Sequence, residues 1–145
     1  MILLYASPAE VRYITYEPKI CIGVEADRLD RMWEGDTSYT LFGMSGWEAW
    51  YDGTPYPCDL GSLYYWYRGH PHLKDMESLK VYTKAKELGV QFQSMRYIID
   101  YNRGRVMPTP FNHLWRKFQH RRMQRKMNEL LLGGYLEYFP SFYTI

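Results

Sequence analysis

Hydrophobic positions in the first half of the chain fall into short runs. ILLYA at 2–6, VRYITYE at 11–17 and ICIGVE at 20–25 are rich in β-branched or aromatic residues and have the length of strands. Ser7, Pro8 and Glu10 also spell an S-P-A-E helix start, so residues 8–16 read as strand or helix. Residues 26–33 fit a short acidic helix that stops at Gly35, and SYTLFGM at 38–44 resumes the strand pattern. GMSG at 43–46 reads as a tight turn. WEAWYDGTPYP at 47–57 is the strongest hairpin signal, because Asp52 and Gly53 suit a two-residue turn in which both residues take positive φ. Pro55 has no N–H to donate, which keeps the returning strand short or at an edge. LGSLYYWYRG at 60–69 adds an aromatic run before a G-H-P-H loop.

The second half turns helical. DMESLKVYTKAKEL at 75–88 places Val81, Tyr82, Ala85 and Leu88 at helical spacing, with Gly89 as the stop. VQFQSMRYIIDYNRGRVM at 90–107 alternates like two strands joined through Asn102–Gly104. A longer helix runs from an N-cap at Thr109, with Pro110 in its first turn, to Gly133 and Gly134. At 1.5 Å per residue it spans roughly 35 Å.

That helix has two apolar stripes instead of one seam. Phe111, Leu114, Trp115 and Phe118 share a face, whereas Met123, Met127, Leu130 and Leu131 centre on another rotated by well over a right angle. Bases continue the first face, so the helix either runs past the core or bends near Gln119 and His120. Trp115 and Phe118 are the expected anchors to the core.

The 145 residues suit a single domain over 1–145, and 46% hydrophobic with 23% charged residues is an ordinary globular balance. The aromatic share, 18% with fifteen Tyr, is higher than usual and favours β-structure and stackable surfaces. The apolar start at MILL is too short for a signal peptide and lacks a basic lead, and no run is long enough to span a membrane. An intracellular, cytoplasmic protein with Cys21 and Cys58 as thiols is the expectation.

Charge changes the picture more than composition does. Residues 20–59 hold eight acids against Arg28 and Arg31, net −6, while 109–132 hold six bases against Glu129, net +5. Arg and Lys on a helix suit phosphates, and a duplex groove admits a helix. The same bases also suit an acidic protein surface, or the chain's own 20–59 segment. Arg116, Lys117, Arg121, Arg122, Arg125 and Lys126 are the expected contacts to nucleic acid or a nucleoprotein surface.

Catalytic and metal motifs are sparse. His70 and His72 with the two cysteines match no zinc framework, and His113 and His120 lie two turns apart on a helix face. There is no P-loop, no G-x-G-x-x-G and no H-E-x-x-H. Glu48 and Asp52 beside Trp47 and Trp50 supply a carboxylate pair, and Cys58 with His70 the atoms for thiol chemistry.

These patterns predict an α+β fold: a small, mostly antiparallel, aromatic-rich sheet with two helices, the longer one basic and near the C-terminus. The expected function is a non-catalytic binding module that grips nucleic acid through that helix, with no catalytic residue, metal or cofactor. A first alternative is an adaptor or inhibitor that docks through the acidic 27–36 stretch or through Met123, Met127 and Leu130. The second is a small hydrolase built on Glu48, Asp52, Cys58 and His70. Oligomerisation is left open.

Overall fold

Strand β1 (Ile2–Tyr5) is buried at its first three residues in succession, where a strand with one wet face would alternate. Both of its faces are covered. The computed structural model, which describes residues 1–31, 38–47, 50–51, 54–55, 61–66, 73–75, 77–101 and 109–134, shows what covers them. After β1 come β2 (Lys19–Cys21), β3 (Tyr39–Trp47), β4 (Trp50–Tyr51), β5 (Thr54–Pro55), β6 (Leu63–Trp66) and β7 (Leu73–Lys74). Helix α1 (Ser78–Leu88), strand β8 (Phe92–Tyr101) and helix α2 (Thr109–Leu132) complete the order, with short 3₁₀ turns at 8–11, 24–26 and 29–31.

The main sheet has the strand order β2-β1-β3-β8-β6. β1 pairs in parallel with β2 and β3, and β3 pairs in parallel with β8. β6 runs antiparallel to β8, and β7 pairs antiparallel with the end of β3. The fold is therefore α+β with two helices, but the sheet is mostly parallel, which corrects the antiparallel expectation. The physical reason is the crossover: α1 lies between β3 and β8 in sequence, and such a helix returns the chain to start its next strand in the same direction.

Side-chain alternation divides the core. Ile2, Leu4, Tyr39, Leu41, Phe92 and Ile98 pack with Val81 and Ala85 of α1 on one face. Leu3, Phe42, Met95 and Tyr97 pack with Met123 and Met127 of α2 on the other. α1 follows its predicted spacing, with Trp66 edge-on to Tyr82 at 5.8 Å between ring centroids. Gly89 closes it at φ 70°, a left-handed conformation that glycine adopts without strain.

Several local expectations are revised. Residues 43–46 lie within β3 and are not a turn. Residues 92–101 form one strand, and the hairpin expected about Asn102–Gly104 lies outside the described residues. The hairpin of the 47–57 segment forms as β4 and β5, two residues apart, with Tyr51 opposite Thr54. Within the expected acidic helix, residues 29–31 form a 3₁₀ turn and residues 32–37 lie outside the described set.

α2 has the predicted span and buries the second stripe, while the described members of the first, Leu114 and Phe118, are exposed. Met123 and Met127 are fully enclosed and Leu130 packs beside them, so the face expected to receive a partner protein packs against the chain's own sheet. Phe118 is 52% exposed and Leu114 63%, so Phe118 does not anchor the helix; the side chain of Trp115 lies outside the described residues. Among the described residues no helix is long and apolar enough to cross a membrane.

Met127→Ala is expected to cost about 2–5 kcal/mol in urea unfolding, as truncation of a buried methionine does. Leu114→Ala should change stability by no more than about 0.5 kcal/mol. The reverse ranking would mean that the first stripe is the buried one.

Candidate functional site

Because β1, β3 and β8 are parallel, their C-terminal ends come together at one edge. The chain leaves β1 toward β2 on one side, and the next strands, β3 and β8, lie on the other. Loops that part in this way open a crevice between the strands, the usual ligand position in open α/β sheets. Here the loops part between β1 and β3, and Glu10 stands at that point.

The turn after β1 puts Glu10 there. Pro8 opens a 3₁₀ turn, and the Glu10 carboxylate folds back so that the Ser7 N–H donates to Oε1 at 3.2 Å. The Met44 N–H of β3 donates to Oε2 at 3.0 Å. Between them lies Gly43, where a Cβ would come within 2.5 Å of Glu10 Oε2 and 3.2 Å of the Arg96 guanidinium. Glycine in this strand marks a close approach that a side chain would block.

Glu10 is only 7% exposed. Burial raises its pKa above the ordinary 4.5, opposed first by the Arg96 charge and then by the Met44 N–H, while Glu77 adds to the rise and the Ser7 N–H opposes it. A buried carboxyl whose pKa is shifted upward is a candidate for proton transfer.

Arg96, 2% exposed, ties the edge together. Its Nε donates to Ser45 Oγ and its Nη2 to the Met44 carbonyl, both at 2.9 Å. It also pairs with Asp75 at 3.4 Å and Glu77 at 3.6 Å. Asp75 is occupied by the start of α1: Oδ1 accepts from the Glu77 and Ser78 N–H groups at 3.0 and 2.8 Å, and Oδ2 from Ser78 Oγ at 2.5 Å. Since Ser78 has one hydroxyl proton and gives it to Asp75, Ser94 donates to Ser78 across their 2.8 Å contact. Asp75 and Glu77 are thus paired with one guanidinium, and Glu10 stands near enough to feel its charge.

α2 supports this edge from the other face. Gln124 donates to the Ala9 carbonyl at 2.9 Å and accepts from the Tyr13 N–H, and Asn128 donates to the Tyr13 carbonyl at 2.9 Å. Tyr97 donates to Gln119 at 2.6 Å. The turn that carries Glu10 is clamped at both ends.

The residues expected from sequence lie elsewhere. Lys117, Arg121, Arg122 and Arg125 are exposed along α2. Lys126 is half-buried, donating to the Gly61 carbonyl over the Tyr97 ring. The side chain of Arg116, and Glu48, Asp52, Cys58, His70 and His72 entirely, lie outside the described residues. Among the described residues no ion pair joins α2 to Glu25, Asp27 or Asp30. Nor does any group of three His, Cys, Asp or Glu there have an arrangement that holds a metal ion. Glu10, Gly43, Asp75, Glu77 and Arg96 were not singled out as chemistry. Their signals were a capping-type glutamate, a small-residue run inside a strand and a lone arginine in the apolar FQSMRYII.

No family model and no curated protein matches the sequence. Solved structures do match its fold. The MTAN of Chlamydia trachomatis superposes with a TM-score of 0.65 at 14% identity, over 95% of this chain and 97% of that one. An MTA-bound variant of it gives 0.64 at 14% identity over 96% and 98%. At that identity the likeness establishes the fold. It overturns the expected nucleic-acid-binding module and docking adaptor, because the architecture is that of nucleosidase structures and α2 spends its buried face on the sheet.

Gly43→Ala is expected to force Glu10 and Arg96 apart and lower the melting temperature by several degrees; an unchanged melt would refute the tight packing. Because the folded pKa of Glu10 is raised, its protonation favours the fold, and that stability is lost as pH rises from about 4.5 through the folded value. Glu10→Gln lacks this loss. Its unfolding free energy should gain on the wild type as pH climbs above about 4.5, and a gap that stays constant with pH would contradict the burial effect.

Proposed function

We propose that this chain hydrolyses the N-glycosidic bond of a nucleoside, with Glu10 as the general base. The observation that carries the reading is the buried Glu10 carboxylate at the parting of the loops after β1 and β3. Each of its oxygens accepts one backbone N–H and keeps a second lone-pair direction for a water. The fold likeness to MTA nucleosidase structures supports the substrate class, a nucleoside such as MTA.

The chemistry follows from charge. As the bond from the sugar carbon to the base breaks, its electron pair leaves with the base and the sugar becomes oxocarbenium-like. Water adds to that carbon and passes a proton to Glu10, while the departing base takes up a proton from solvent, so that sugar hydroxyl and neutral free base result. Two carboxylates, Glu10 and Glu77, stabilise the positive sugar, and a nearly dry site strengthens that attraction. Arg96 permits both to stay close despite their mutual repulsion, and its contacts to Ser45 and Met44 fix where they stand.

The test is base release from a panel of nucleosides that includes MTA, followed by chromatography. The wild type is expected to liberate free base, and Glu10→Gln to reduce turnover by about 10²–10⁴-fold while its melt remains cooperative. A folded wild type that releases base from no nucleoside would sink the reading.

A further inference from the structure

Between the 8–13 turn and α2 lies a cavity of about 240 Å³. Arg12 and Tyr13 form one wall, and Lys117 and Arg121 the other, with Gln124 and Ala9 at the base. His120 completes the rim, its Nδ1 3.2 Å from the Ala9 carbonyl. Arg12 and Arg121 stand 5.7 and 5.9 Å from the centroid of the Tyr13 ring. An adjoining hollow shares Tyr13 and Arg121 and adds Arg125, Asn128 and the acid Glu129.

We propose that this cleft binds a small organic phosphate whose ring lies on Tyr13. Three cations, Arg12, Lys117 and Arg121, line a concavity of small-molecule size that no carboxylate among the described residues enters. A phosphate monoester carries close to two negative charges at neutral pH and presents three acceptor oxygens, which two arginine forks and an ammonium match. The tyrosine ring, 44% exposed and with two guanidinium groups 5.7 and 5.9 Å from its centroid, offers apolar surface beside positive charge.

The wall is rigid before any ligand arrives. The Tyr13 N–H and carbonyl are both held by α2, through Gln124 and Asn128, and the Ala9 carbonyl is held by Gln124. A preorganised wall loses little entropy on binding. A concave, tethered cleft also separates this site from the exposed arginine ridge further along α2, where Arg122 lies over Phe118.

Calorimetric titration of the full chain with phenyl phosphate at low ionic strength tests the assignment. One binding event is expected, weakened at least about tenfold in Arg121→Gln, as loss of a charged hydrogen-bond partner implies. Tyr13→Leu should weaken phenyl phosphate more than inorganic phosphate. Glu10→Gln should bind phenyl phosphate as the wild type does, which separates this site from the one at the sheet edge. The proposal fails if phenyl phosphate gives no binding, if a folded Arg121→Gln binds it undiminished, or if Glu10→Gln abolishes it. Tighter binding of a phosphotyrosine peptide than of phenyl phosphate, by tenfold or more, would overturn the small-molecule assignment.

Discussion

Arg96 sits in the middle of β8 with its charge out of water, and a guanidinium cannot shed that charge by deprotonation. Left alone there it would cost several kcal/mol. The fold meets the requirement by bringing three separate segments to it: Ser45 and the Met44 carbonyl from β3, Asp75 and Glu77 from the entry to α1, and Glu10 from the turn after β1. The parallel register sets Gly43 opposite Arg96, so the residue facing the guanidinium is the one without a side chain to obstruct it. Sheet register, helix start and the Glu10 turn thus meet at one buried charge.

The second constraint is that the sheet is covered on both faces. α1 covers one with aliphatic and aromatic contacts of the usual amphipathic kind. α2 covers the other with an uncommon mixture, since Gln119 and Gln124 are buried beside Met123 and Met127. Those amides satisfy the Tyr97 hydroxyl and the backbone at Ala9 and Tyr13, groups that would cost free energy if enclosed without partners. Met supplies volume and Gln supplies fixation, so a helix with little apolar area of its own holds the turn that carries the site.

Legibility followed the range of the interactions. The S-P-A-E box was readable, and its Glu10 does fold back on Ser7, a contact three residues long. Its bonding to Met44 and its proximity to Arg96 span 34 residues or more, and no local pattern reports them. Gly43 and Ser45 resembled a turn because small residues favour turns; inside a strand they are small because Glu10 and Arg96 need the space. The basic stretch of α2 drew attention through charge density, yet charge specifies no partner.

By itself the sequence determined the elements that local physics controls. Those were α1 with its Gly89 stop, α2 from Thr109 to its glycine pair, the 47–57 hairpin and the apolar strands at 2–5 and 39–47, whereas the strand-like run at 11–17 forms no strand. Capping, glycine at positive φ and hydrophobic spacing act within a few residues, so they are written locally. Only the tertiary structure decided that the strands run parallel, that α2 buries methionine and glutamine while Phe118 stays exposed, and that Glu10, Glu77 and Arg96 meet at one edge. Each of those outcomes depends on which distant surface covers a residue, and that is set by the whole chain's packing.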